Sequence, residues 1–344
     1  MGKGTRALNS IGKRGETRAG TALWLAGALV LGSFAALLIG PYPLGLIEAV
    51  SVLTGGETAG RAETVLLAIR LPRVAASLLV GAALAAAGAC YQTIFRNPLV
   101  SPDILGVSAG AGLGAVLGIF LALPVAAIQL LGFAGGLVAV ALVGFVAAAV
   151  KTGDRTLVLV LAGVVVGALA GAATSLLKVL ADPYDQLPAI TFWLLGSLAG
   201  VKAEDLVPAA PVVAAGLVPL VLLRWRINVL ALGDEEARAL GVEAGRLRLV
   251  VILCATLITA SVVAVAGVVG WVGLVIPHIA RIAVGPGFGR LLPAAALLGA
   301  GYMLAVDTLA RTISAAEVPL GILTAVVGAP FFLWLLARGR RAWA

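Results

Sequence analysis

Ten stretches of the chain are almost free of charge: residues 21–41, 72–95, 105–122, 125–149, 156–180, 205–223, 248–269, 271–284, 291–309 and 320–337. Most approach the roughly 20 residues a helix needs to cross the hydrocarbon core of a bilayer, and the eighth is short. In lipid the backbone must satisfy its own hydrogen bonds, which a helix does within one segment. The pattern therefore predicts an all-α, polytopic membrane protein with about ten transmembrane helices. The basic stretch before Thr21 looks superficially like the start of a secretory signal. The apolar run behind it is as long as a full span and has no convincing cleavage site, so it is read as the first helix.

Composition agrees with this reading. Of 344 residues, 61% are apolar and 12% charged, against roughly 25% charged in a soluble domain. Charge placement orients the chain. With the N-terminus in the cytoplasm, 18 of the 24 Lys and Arg fall on the cytoplasmic side, and Arg61, Arg70, Arg73, Lys178, Lys202 and Arg311 fall outside. This is the asymmetry of the positive-inside rule. The net charge of +8 is thus a topology signal and gives no reason to invoke nucleic acid. The expected organisation is a basic cytoplasmic tail at 1–20, a transmembrane unit at 21–338 with a cytoplasmic loop at 224–247, and a cytoplasmic tail at 339–344. Both termini face the cytoplasm, and the location is the cytoplasmic (inner) membrane.

The spans hold little chemistry. Few ionisable residues lie in or at the ends of spans, Lys178, His278, Arg281 and Asp307 among them, whereas a proton-coupled carrier would be expected to bury an acidic relay. Asp307 is expected to pair with Arg311 one turn on, and His278, beside Pro277, to be a structural group. No phosphate loop, His-Glu-x-x-His, cysteine pair or nucleophile elbow occurs, so no catalytic residue, metal ligand or cofactor is assigned. Cys90 and Cys254 sit in apolar runs and read as small packed hydrophobes. Spacings such as Gly106, Gly110, Gly114 and Gly163, Gly167, Gly171 let helices approach closely in lipid. A passive pore, a gradient-driven carrier and a subunit driven by a separate ATPase all remain open at this point.

The loop Leu232 to Val242 separates them. Asp234 can cap a short helix, Glu235 and Glu236 suit its first turn, and Gly241 can close it in the left-handed conformation. Ala237, Leu240 and Val242 supply a small apolar face. Such a helix suits either docking of a soluble partner or resting on lipid headgroups.

Longer motifs carry a resemblance. Arg70-Leu71-Pro72-Arg73, Gly81 to Gly88, Gln92 to Asn97-Pro98-Leu99 and Ser101-Pro102-Asp103 to Gly110 resemble the permease subunits of ATP-binding-cassette importers for iron siderophores, haem and cobalamin. So do Gly233 to Val242, Gly270-Trp271-Val272-Gly273 to His278, Val318-Pro319-Leu320-Gly321 and Gly328-Ala329-Pro330. This is the FecCD-like, type II importer fold, and the likeness runs in order from residue 62 to 338.

The resemblance implies a homodimer with one path on its twofold axis, two cytoplasmic ATPase subunits that bind ATP and Mg, and an extracytoplasmic substrate-binding protein. It implies that Gly233, Asp234, Glu235, Glu236, Ala237, Arg238, Ala239, Leu240 and Gly241 form the helix coupled to the ATPase. It further implies that Arg70, Arg73 and Arg311 meet acidic residues of the binding protein, with Glu317 tuning or competing with Arg311. Asn97, Leu99 and Thr156 become cytoplasmic gate positions, and the span from Thr156 to Leu180 a wall of the path. The expected cargo is a ferric siderophore or related metal chelate, with haem, cobalamin or molybdate as alternatives and a proton-coupled carrier as the rival class.

Overall fold

In the computed structural model, residues 24–55, 60–150 and 155–337 are described. The tails at 1–20 and 339–344, with Lys151, lie outside them. The described residues are helical and contain no strand. In chain order the helices are α1 (Trp24–Leu38) and α2 (Leu46–Leu53), α3 (Gly60–Ile94), α4 (Val107–Phe120), α5 (Val125–Ala149) and α6 (Arg155–Leu180). There follow α7 (Gln186–Leu195), α8 (Ala203–Leu222), α9 (Arg224–Leu230), α10 (Asp234–Ala239), α11 (Ala244–Ala266), α12 (Val272–Val284), α13 (Phe288–Ala310) and α14 (Leu320–Ala337). Each predicted apolar run coincides with one helix, and among the described residues six helices are long and apolar enough to cross a membrane.

Two boundaries differ from the sequence expectation. The second run was expected to begin at Pro72, but α3 starts at Gly60 and passes through the proline. Proline lacks a donor and its ring pushes on the carbonyl one turn back. Residues Thr64–Arg70 take the wider π form immediately before it, which relieves that crowding without ending the helix. The second difference is α7, ten residues in a stretch read as a connection.

The core is built around α3, which packs on α11, α12 and α13, while α4, α5 and α6 form a second group joined through α11. Backbone approach replaces side-chain bulk at the crossings. A Cβ at Gly81 would land on the Gly299 carbonyl and one at Gly299 on the Gly81 carbonyl; Gly110 and Gly135 stand in the same reciprocal relation. A Cβ at Gly163 would land on the Ile104 carbonyl, whereas one at Gly171 would meet nothing outside its own helix within 4 Å. Cys90 is buried, Cys254 partly buried, and both are free thiols.

Candidate functional site

The loop helix α10 is held at both ends. Gly233 sets its entry with φ 145°, where a side chain would strike the Glu236 carboxylate. Its exit is a Schellman closure: Val242 N–H donates to Ala237 O at 2.8 Å, Gly241 N–H donates to Arg238 O at 2.9 Å, and Gly241 takes φ 75°. Ala237 and Val242 face inward. Leu240 was expected on the same apolar face but is 54% exposed, because as the last residue before the left-handed turn it points away from the bundle. Glu235, Glu236, Arg238 and Ala239 are exposed beside it.

Asp234 does not cap the helix as expected. It lies inside the first turn, and its carboxylate accepts two hydrogen bonds from Arg248 of α11, Nη2 to Oδ1 at 2.7 Å and Nη1 to Oδ2 at 3.3 Å. This pairing, with Arg96 and Arg238 nearby, holds the Asp234 carboxyl below the usual carboxylate range. Arg248 escaped the sequence reading because it counted only among the basic residues of the cytoplasmic side.

Thr156, in the first turn of α6, lines a cavity of about 540 Å³ together with Arg96, Asp234, Arg238 and Arg248. One expected gate residue thus opens onto the cavity that α10 borders. In the other gate segment, Asn97 Oδ1 accepts the Leu99 N–H at 2.9 Å, a tight turn that leaves Asn97 exposed and Leu99 half-buried. Asn97 lines a neighbouring cavity, and Arg96 lines both.

At the opposite end of the bundle the structure revises the docking expectation. Arg70, Arg73 and Arg311 are only 3%, 5% and 4% exposed. Arg70 donates to Leu37 O at 2.8 Å, to Leu38 O at 2.9 Å and to Tyr42 O, and Arg311 donates to Ala36 O at 2.5 Å. A helix leaves its last four carbonyls without partners, so these two guanidinium groups cap the end of α1. Arg73 instead bonds Asp307 at 2.8 Å and Glu317 at 2.7 Å. The three forks are engaged inside the chain and are not free surface cations. Asp307 pairs with Arg311 as expected, at 3.9 Å, and more closely with Arg73, at 2.8 Å. Glu317 likewise engages Arg73.

Motifs far apart in sequence meet at α12. Gly88 lies against Gly273, Trp271 against Gly328, and Gln92 Nε2 donates to Leu274 O at 3.0 Å. Gln92 had been no more than part of a motif.

Comparison with known proteins places this architecture. A profile of the FecCD transport family matches residues 28–338. A permease protein named for an iron chelatin transport system in Helicobacter pylori strain 26695 is 41% identical over 283 residues, covering 80% of this chain and 83% of that one. The molybdate import system permease protein MolB of Haemophilus influenzae is 40% identical over 319 residues, covering 91% and 94%. A solved metal-chelate type ABC transporter in an inward-facing conformation superposes with a TM-score of 0.85 at 38% identity, covering 93% of this chain and 99% of that chain. The chain is therefore a multi-pass membrane permease, and it belongs to the FecCD transport family.

Proposed function

We propose that this permease forms the translocation path of an ATP-binding-cassette importer in the cytoplasmic membrane, carrying a metal chelate of the ferric-siderophore kind. Two copies face each other, a separate ATPase binds ATP and Mg beneath them, and an extracytoplasmic binding protein delivers the cargo. The observation that carries the reading is α10. It is a short helix between two apolar helices, braced from behind by Arg248, and it presents Glu235, Glu236, Arg238, Ala239 and Leu240 outward. A rigid knob with an apolar tip and mixed charge transmits a push from a soluble engine, because its root cannot swing independently of α11. The chain runs as ten spans with both termini in the cytoplasm. Asn97, Leu99 and Thr156 close the inner mouth, and α6, most of whose residues its own chain leaves uncovered, lines the path and meets the second copy.

A gradient-driven carrier is disfavoured because the buried acid, Asp307, is fully covered and tied to Arg73. Molybdate is the second cargo reading, supported by the molybdate import relative that covers 91% of this chain.

Reconstitution of the chain with its ATPase and binding protein in vesicles tests the proposal. Uptake that requires ATP and both partners is expected. Uptake by the chain alone under a pH gradient would overturn it.

A further inference from the structure

Two cavities adjoin along one side of α13. The first, of about 600 Å³, lies between α1 and α13 and has walls of small and aliphatic residues, Ala28, Gly32, Gly301 and Ala305 among them. The second, of about 440 Å³, lies between Leu25 and the segment Gly285, Pro286 and Arg290. Leu25 and Leu297 line both, so the two form one groove, and no lining residue is acidic. The helices meet across it through leucine ends: a Cβ at Gly32 would stand 3.6 Å from Leu304 Cδ2, and one at Gly301 3.7 Å from Leu29 Cδ1. Ala28 and Ala305 are exposed on its walls, so the groove is open along its length. From Leu297 to Leu309 it follows α13 for about 18 Å at the helical rise. The acyl chains of one leaflet fill about 15 Å, half of the hydrocarbon core, so a chain rooted at the Arg290 end fits along it.

The Arg290 end carries the marks of the headgroup level. A Cβ at Gly287 would meet Arg290 Nη2 at 3.6 Å and one at Gly285 would meet it at 3.8 Å, so the guanidinium lies over this segment. The Arg224 side chain lies over Gly289, with its Cδ 3.4 Å from a Cβ there. Both arginines are exposed, and neither guanidinium is paired among the described residues. Trp24, next to Leu25, and Trp225, next to Arg224, are exposed at the same end. Tryptophan collects where hydrocarbon meets headgroups, so an apolar trough there opens into an unpaired cationic rim.

We propose that the groove between α1 and α13 holds one anionic phospholipid, its acyl chain along Ala28, Gly32, Gly301 and Ala305 and its phosphate at Arg290 and Arg224. Mostly apolar walls with a few charged groups at one end are what a bound amphiphile needs, and guanidinium pairs with phosphate through fixed, charge-assisted hydrogen bonds. The lining offers no carboxylate to an ammonium headgroup.

The test is native mass spectrometry of the full chain in detergent, titrated with phosphatidylglycerol and, separately, with phosphatidylcholine. Saturable retention of one phosphatidylglycerol per chain is expected, with phosphatidylcholine about tenfold weaker or more. Arg290→Gln should weaken phosphatidylglycerol about tenfold, as loss of a charge-assisted bond requires. Ala305→Trp, which sets an indole in the groove, should abolish retention of both lipids. Both positions are exposed, so neither change touches the core, and thermal unfolding checks that the variants fold. Leu142→Trp, exposed on α5 and outside the groove, should bind as the parent does. No saturable retention, equal affinity of the parent for the two lipids, or undiminished retention in Ala305→Trp would overturn the proposal. So would dimers without lipid that Ala305→Trp splits, since a second copy would then fill the groove.

Discussion

Arg248 on α11 grips Asp234 on α10 through both carboxylate oxygens, at 2.7 and 3.3 Å. The pair joins the exposed helix to the apolar bundle, and it is the mechanical root of the proposed coupling. Because Arg248 lowers the Asp234 pKa, the pair's stabilisation is complete above the ordinary carboxylate value and is lost as pH falls through the lowered one. The Asp234 side chain is 38% exposed, so solvent reduces its worth to about 1 kcal/mol or less. Unfolding midpoints of the parent and Asp234→Asn should differ slightly at neutral pH and converge in acid, once the pH falls below the lowered Asp234 value. A gap that widens in acid would contradict the pairing.

Leu240, 54% exposed at the tip of α10, should matter to the partner and not to the fold. Leu240→Asp is expected to leave the unfolding midpoint unchanged within about 0.5 kcal/mol, as surface substitutions usually do. It should lower co-purification of the proposed ATPase partner about tenfold or more, since apolar anchors dominate interface energies. Pull-down of the ATPase by the two permeases, alongside thermal unfolding, measures both.

Arg73 and Asp307 form a covered ion pair. Removing one partner leaves a buried charge uncompensated and costs about 3–5 kcal/mol. Arg73→Gln and Asp307→Asn should each lower the unfolding midpoint strongly, and the double variant should lose less than the sum. Additive losses would show that the two side chains do not act on one another.

Gly81 and Gly171 look alike in sequence and should behave oppositely. Gly81→Ala drives a methyl group into the Gly299 backbone and is expected to cost about 1–3 kcal/mol. Gly171→Ala meets nothing within 4 Å and should be neutral, or stabilising by up to about 1 kcal/mol. Thermal unfolding of the two variants side by side decides it.

Much of this was readable along the chain. The uncharged apolar runs located helices, six of them, among the described residues, long enough to cross a membrane, since lipid permits few alternatives, and Gly241 marked the end of α10 because its left-handed backbone excludes most side chains. The errors were of another kind. Pro72 looked like a helix start, and local rules could not reveal that a π turn would carry α3 past it. Arg70, Arg73 and Arg311 looked like exterior cations, because their partners stand far off in sequence: Leu37 and Leu38 for Arg70, Asp307 for Arg73, Ala36 for Arg311.

The sequence by itself determined that the chain is helical and lives in a membrane, and that α10 closes at Gly241, since each follows from solvent and local backbone sterics. Only the tertiary structure decided that Arg70, Arg73 and Arg311 became internal braces and that Asp234 answers to Arg248. Those outcomes depend on which helices cross and how closely. Carbonyls and carboxylates 14 to 275 positions away supply the partners, and the spacing of residues along one segment carries no record of them.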